Sequence, residues 1–238
     1  MNRLPEALLR DALGSLLALN PPAPRLRQVL TDQFGVSISE RDAERAVGAE
    51  IAYYRSHLDE GRDARTLAAL RKRCADAMGE ALPSQARERL DSGTLVSALL
   101  SSLEFSVFDD VRPTLRAFRR RGVALIVVSN WDVSLPDVLR RVELSPLLDG
   151  VVTSAALGSR KPATAIFERA LGMAGTGPGH AIHVGDSIVE DIEGARGAGV
   201  KAILVRRDGG RGPAGVITIS SLAELPRAIE CLPDVAKP

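Results

Sequence analysis

The stretch Gly185-Asp186-Ser187, with Asp191 close behind it, offers two carboxylates where an apolar run gives way to a helix. Carboxylates at the carboxyl end of a buried strand stand where open α/β sheets hold their ligands. Hard divalent cations such as Mg²⁺ take oxygen ligands and lean on one or two carboxylates plus water and substrate. Asp186, in the strand-to-helix turn, suits direct contact with such an ion; Asp191, on the helix, suits holding a bound water or orienting a lysine. The same pair also suits plain capping, because acidic side chains favour a helix N-terminus.

Three other positions offer partners for that chemistry. In Lys161-Pro162 the proline fits the first turn of a helix beginning near Ala163, which leaves the lysine just outside it. An ammonium held there would offset the charge of a carboxylate nucleophile and a phosphoryl group; the plain alternative is a solvent-exposed lysine. Ser129-Asn130 follows the most apolar run and presents a hydroxyl and an amide, which suit an anionic oxygen or, equally, a helix N-cap. Asp132 is as good a cap and is given no catalytic part. Asp11 ends a possible first strand, where its carboxylate would be a nucleophile in a covalent, two-step reaction. Gly14 would let the backbone leave the sheet sharply. Yet Leu4, Leu8, Leu9, Ala12, Leu13, Leu16 and Leu17 also suit one side of a helix with Pro5 in its first turn.

The elements that must hold these groups follow from hydrophobic period and punctuation. From about residue 108 the pattern alternates: helix 111–121 closed by Gly122, strand 123–128, helix 134–141, strand 150–153, helix 163–173, strand 181–184, helix 188–198 closed by Gly199, strand 201–205. A weaker strand at 216–219 and a capped helix from Ser220 complete it. Repeated βα units predict an α/β fold, a Rossmann-like doubly wound parallel sheet. The segment from about 21 to 103 is Arg- and Glu-rich with helical spacing: Ala43, Val47, Ile51 and Tyr54 share one face, and Leu67, Leu70 and Cys74 another. Pro21-Pro22-Ala23-Pro24 marks its entrance. The expected division is a core of residues 1–18 and 106–238 with an all-helical insertion at 19–105.

Composition narrows the partners. The 238 residues carry 31 Lys plus Arg against 30 Asp plus Glu, a net charge of +1, which points away from nucleic acid and anionic membranes. Arg119-Arg120-Arg121 reads as a solvated helix end. Cys74 and Cys231 have no metal-ligand spacing and suggest no disulfide framework, and three His do not suit a histidine-based zinc site. No signal-peptide pattern and no apolar run of membrane length is visible, so a reduced cytoplasmic location is expected. The glycine-rich runs 194–199 and 209–213 lack the features of nucleotide or phosphate loops.

Val127-Val128-Ser129-Asn130-Trp131-Asp132, Gly158-Ser159-Arg160-Lys161-Pro162 and His183 to Asp191, in that order after Asp11, resemble the motifs of the haloacid dehalogenase-like (HAD) hydrolase superfamily. The resemblance spans nearly the whole chain. It implies Asp11 as nucleophile, Ser129 and Asn130 on the transferred group, and Lys161 stabilising it. It implies Mg²⁺ held by Asp11, the Leu13 backbone carbonyl and Asp186, with Asp191 in support. The helical insertion becomes a mobile cap that selects a small, phosphorylated substrate.

The first motif departs from the family. Family phosphatases usually read Asp-x-Asp-Gly-Thr, and here the string is Asp11-Ala12-Leu13-Gly14-Ser15. The second aspartate serves as general acid and base, a role typically worth about 10²–10⁴-fold, and Leu13 can do neither. Ser15 keeps the hydroxyl, while Arg10 is unusual in a buried strand. Three readings stay open: a Mg²⁺-dependent phosphatase, a metal-independent 2-haloacid dehalogenase, whose halide needs no proton to leave, and a silent protein that binds a phosphorylated ligand or a partner. Arg41, Arg45, Glu50, Tyr53 and Tyr54 are the insertion's candidates for facing a substrate.

Overall fold

A computed structural model of the chain describes residues 4–232; the expected core's outermost ends, 1–3 and 233–238, lie outside them. The chain divides into two compact units, one of residues up to 18 together with those from 107 on, the other of residues 19–106.

The first unit starts with β1 (Ala7–Arg10), whose four residues are all buried. It is a strand and not the helix its leucine spacing also allows. β1 pairs in parallel with a strand on either side, and side chains on both of its faces are buried, so no polar face marks the period. Next come β2 (Leu17–Leu19) and, after the helical unit, β3 (Phe105–Val107), which pair with each other as a two-stranded sheet. In the helical unit lie α1 (Pro22–Phe34), α2 (Glu40–His57), α3 (Ala64–Glu80), α4 (Ser84–Arg87) and α5 (Ser92–Ser102).

The βα alternation then runs α6 (Val111–Arg120), β4 (Ala124–Ser129), α7 (Leu135–Arg141), β5 (Gly150–Thr153), α8 (Ser154–Leu157), α9 (Thr164–Ala174) and β6 (Ala181–Gly185). A π-helical turn, Ile188–Glu193, leads into α10 (Gly194–Gly197), followed by β7 (Lys201–Val205), β8 (Thr218–Ile219) and α11 (Leu225–Glu230). The six-stranded sheet has the order β5-β4-β1-β6-β7-β8 and is parallel throughout. The fold is therefore α/β, with β1 at the centre and the chain winding outward first on one side and then on the other.

Most boundaries shift by a residue or two from the sequence reading, and two of the differences bear on the site. Pro162 precedes α9, whose N-cap is Ala163, so the proline is outside the helix and not in its first turn. The helix expected at 188–198 opens as a π-turn, a widened form that recurs at functional sites.

Each unit has its own core. On one face of the sheet, Ala7, Leu9, Ile126 and Val128 pack with Ile166, Phe167 and Ala170 of α9 and with Ile192 and Ala195. In the helical unit Leu26, Leu30, Ala43, Val47, Leu70, Cys74 and Met78 form a second core, with Ile51, Tyr53 and Tyr54 packed against it. Three of its helices begin on side-chain caps: Ser39 accepts the Asp42 N–H, Asp63 and Thr66 form a reciprocal capping box, and Asp91 accepts the Thr94 N–H.

Candidate active site

Register brings the distant residues together. Arg10 lies opposite Val127 of β4 and Val184 of β6, so Asp11, Ser129 and Asp186 leave three adjacent strands at the same edge. The Asp11 N–H still donates to the Val184 carbonyl (2.9 Å), which fixes the backbone from which its side chain departs.

Asp11 Oδ1 accepts from Ser129 Oγ at 2.8 Å and from Lys161 Nζ at 2.6 Å. The same ammonium donates to Asp191 Oδ1 at 2.5 Å, so one lysine bridges two carboxylates. Asp191 is held further by the His183 ring, whose Nε2 lies 2.8 Å from Oδ1, and by the Ser187 N–H, 3.0 Å from Oδ2. Lys161 is 1% exposed and Asp191 1%, which leaves little room for water to screen the pair. The exposed-lysine alternative is thereby removed.

Asn130 does something the sequence reading did not foresee. Its Nδ2 donates to the Lys161 carbonyl (3.1 Å) and its Oδ1 accepts the Lys161 N–H (2.8 Å). Each end of the amide makes one hydrogen bond to the lysine's main chain, so Asn130 positions Lys161 and keeps one N–H of its amide for another acceptor. The Lys161–Pro162 peptide bond is cis.

The electrostatics follow from burial and pairing. Burial alone would discharge Lys161, but Asp11 and Asp191 outweigh it and hold its pKa above the usual lysine value. Burial raises the Asp11 carboxyl, and the Lys161 charge opposes that rise without cancelling it. Burial also works against the Asp191 carboxylate, yet Lys161 and His183 hold it below the usual range. Asp186, the solvent-exposed member, is raised to about 7 by partial burial and by its neighbours Asp11 and Asp191.

Carboxylate oxygens of Asp11, Asp186 and Asp191 lie within 4.8 Å of one another. The backbone crowds this cluster at two glycines. Gly14 has a left-handed φ of +78°, and a Cβ there would stand 2.1 Å from Asp186 Oδ2. A Cβ on Gly185 would stand 2.1 Å from Asp191 Cγ. Leu13 is half-buried in the turn that the Gly14 N–H closes onto the Leu17 carbonyl, and it brings no acid. Asp132 caps locally, accepting the Ser134 N–H at 2.7 Å. His183 was missed by the sequence reading; its one signal was a polar residue in an otherwise apolar strand.

The chain matches the family model described as haloacid dehalogenase-like hydrolase over residues 10–199. A haloacid dehalogenase-like hydrolase domain-containing protein 3 from Bos taurus is 43% identical over 42% of this chain and 40% of its own length. A phosphatase from Mycobacterium tuberculosis, MT3486, is 34% identical over 62% of this chain and 70% of its own. The chain spans about half or less of the length of the animal relatives it matches. Among solved structures, a HAD phosphatase from Thermococcus onnurineus superposes with a TM-score of 0.65 at 26% identity, covering 97% of this chain and 100% of the other. A 2-haloacid dehalogenase from Pseudomonas syringae superposes at 0.66 with 23% identity over 95% and 99%, a likeness of fold alone.

Proposed function

The chain belongs to the haloacid dehalogenase-like hydrolase family, and on that premise we infer that it is a Mg²⁺-dependent phosphatase acting on a small phosphorylated metabolite. The observation that carries this reading is the cluster of Asp11, Asp186 and Asp191 around one buried lysine. A hydrolase that displaces halide needs a carboxylate nucleophile and no metal, so three converging carboxylates favour phosphoryl transfer. Relatives named as phosphatases, including a glyceraldehyde 3-phosphate phosphatase from Methanothermobacter thermautotrophicus that is 37% identical over 42% of this chain, point the same way.

The donor set fits a hard divalent cation: its atoms are carboxylate oxygens, and the glycines keep the space beside them free of side chains. Asp11, Asp186 and the Leu13 carbonyl would hold Mg²⁺, with Asp191 in support because both of its oxygens already serve Lys161, His183 and Ser187. When bound, the ion would neutralise the transferring phosphoryl group.

The rest is the work of the chain's own residues. Oδ1 of Asp11 is engaged by Ser129 and Lys161, which leaves Oδ2 as the oxygen to attack a phosphorus. That oxygen attacks, the bond to the leaving alkoxide breaks, and an acyl phosphate forms on Asp11. Water then attacks the phosphorus, phosphate departs, and the carboxylate returns. Lys161 offsets negative charge through both steps. Leu13 protonates nothing, so the leaving group must take its proton from solvent or depart as a stable anion. The helical unit is assigned the role of a substrate-selecting cap, and the reduced cytoplasm is the assigned compartment.

The direct test is release of an aryl alcohol from a generic aryl phosphate, whose leaving group needs little protonation. Activity is expected with Mg²⁺, lost on chelation, and abolished by Asp11→Asn. Turnover that survives Asp11→Asn removes the nucleophile assignment. Metal-independent halide release from a 2-haloacid would select the dehalogenase reading, which the missing acid at Leu13 favours.

A further inference from the structure

Among the described residues Arg10 is the largest fully buried side chain, 0% exposed, and its Nε, Nη1 and Nη2 have no hydrogen-bond partner there. Ala7 and Leu9 of β1 belong to the core under α9, so alternation turns Leu8 and Arg10 to the sheet's other face, away from it. There the guanidinium lies within electrostatic reach of a second cation, Arg207, and one anion, Asp110. Burial and then Arg207 lower the Arg10 pKa to about 9, which leaves it charged at neutral pH.

The surroundings are one-sided. Asp110 Oδ2 is fully committed: it accepts from Arg207 Nη1 (2.5 Å), Ser221 Oγ (2.6 Å) and the Leu222 N–H (2.6 Å). Arg207 donates also to the Ser15 carbonyl (2.6 Å) and lies over the Phe108 ring, 4.1 Å from its centroid. What stays unpartnered and buried in this cluster, among the described residues, is the whole Arg10 guanidinium and Arg207 Nε, which only donate, and Ser15 Oγ, which donates or accepts, against Asp110 Oδ1, which only accepts. Two guanidinium groups against one carboxylate also leave one buried positive charge in excess. Buried polar groups are costly without partners and buried charges more so. A water molecule brings donors as well as acceptors and no charge, and so corrects only part of the deficit. An anion supplies acceptor sites only and cancels the excess charge.

We propose that the Arg10, Arg207 and Ser15 cluster binds one small inorganic anion, of the size of chloride, inside the sheet unit on the face of β1 opposite α9. The site lies one residue before Asp11 in the chain but on the other side of the sheet, so it is independent of the phosphatase reading. Its role is to hold together the end of β1, the start of α6 at Asp110 and the turn after β7.

Two experiments on the full chain test it. Thermal unfolding is followed as chloride replaces gluconate at constant ionic strength; binding to the folded state raises the midpoint by roughly 3 °C once chloride exceeds the dissociation constant about tenfold. Arg10→Met is expected to lose that dependence. Should this variant not fold, crystals of the wild-type protein grown in bromide decide the matter through anomalous scattering, with a peak expected in contact with the Arg10 guanidinium. A bromide map with no peak at Arg10, or a chloride response equal in wild type and Arg10→Met, overturns the proposal.

Discussion

At the scale of single residues, the site combines one feature that composition announces with several that it hides. The absence of an acid at Leu13 is written in the sequence, and its consequence can be measured by restoring one. Leu13→Asp is expected to raise turnover of alkyl phosphates by about 10²–10⁴-fold while changing an aryl phosphate little, since only the poor leaving group needs the proton. Comparing kcat for the two substrate classes in both proteins checks it; an equal effect on both would mean that the residue acts through structure. Asn130 makes the opposite point. Its type and place suggested contact with an anion, but both ends of its amide hold the Lys161 main chain. Asn130→Ala should therefore cost about 1–3 kcal/mol in urea unfolding and lower kcat by misplacing the lysine, with KM nearly unchanged. That Asp11, Ser129, Lys161, Asp186 and Asp191 come together was legible because their motifs follow one another in the order that the resemblance implies. Asn130's task and the burial of Arg10 were not, because a side chain's partner depends on which strand lies alongside, and one sequence does not state that.

At the scale of elements, β4, β6 and β7 were readable because continuous apolar runs bounded by turns admit few other structures. β1 was not, since a strand covered on both faces and a leucine-rich helix present the same composition. The π-turn after β6 was equally hidden, for no residue type specifies the one-residue widening of the turn that carries Asp191. What the elements demand at this join is small volume. Gly185→Ala would drive a Cβ into Asp191, which Lys161, His183 and the Ser187 N–H already hold. A stability loss of about 1–3 kcal/mol is expected, accompanied by at least a tenfold fall in turnover. Gly48, exposed within α2 and with no atom within 4 Å of where a Cβ would stand, is the contrasting case. Gly48→Ala should gain about 0.5–1 kcal/mol through helix propensity and leave turnover unchanged. Equal outcomes for the two substitutions would show that crowding at Gly185 is not the cause.

At the scale of the whole molecule, two units with separate cores need not share one stability, and a buried acid gives them different pH responses. Glu50 of α2 is 5% exposed, and burial lifts its carboxyl from 4.5 to about 7 against the opposing hydrogen bond from Cys74. A pKa raised by folding means that the folded state binds the proton more tightly than the unfolded chain. The neutral acid is accommodated below about 4.5, and stability is lost progressively as pH rises from there through about 7. At roughly 1.4 kcal/mol per pH unit that loss reaches about 3 kcal/mol in the helical unit. Glu50→Gln keeps the size and the neutrality and should remove the dependence. Amide hydrogen exchange of α2 and α3 at pH 5 and pH 8, corrected for intrinsic rates, separates this from effects on the sheet unit. Protection in those helices is expected to fall at pH 8 in the wild type and to stay level in Glu50→Gln. An unchanged pH response in the variant would place the titrating group elsewhere, and a fall shared equally by β4 and β6 would mean that the two units unfold as one.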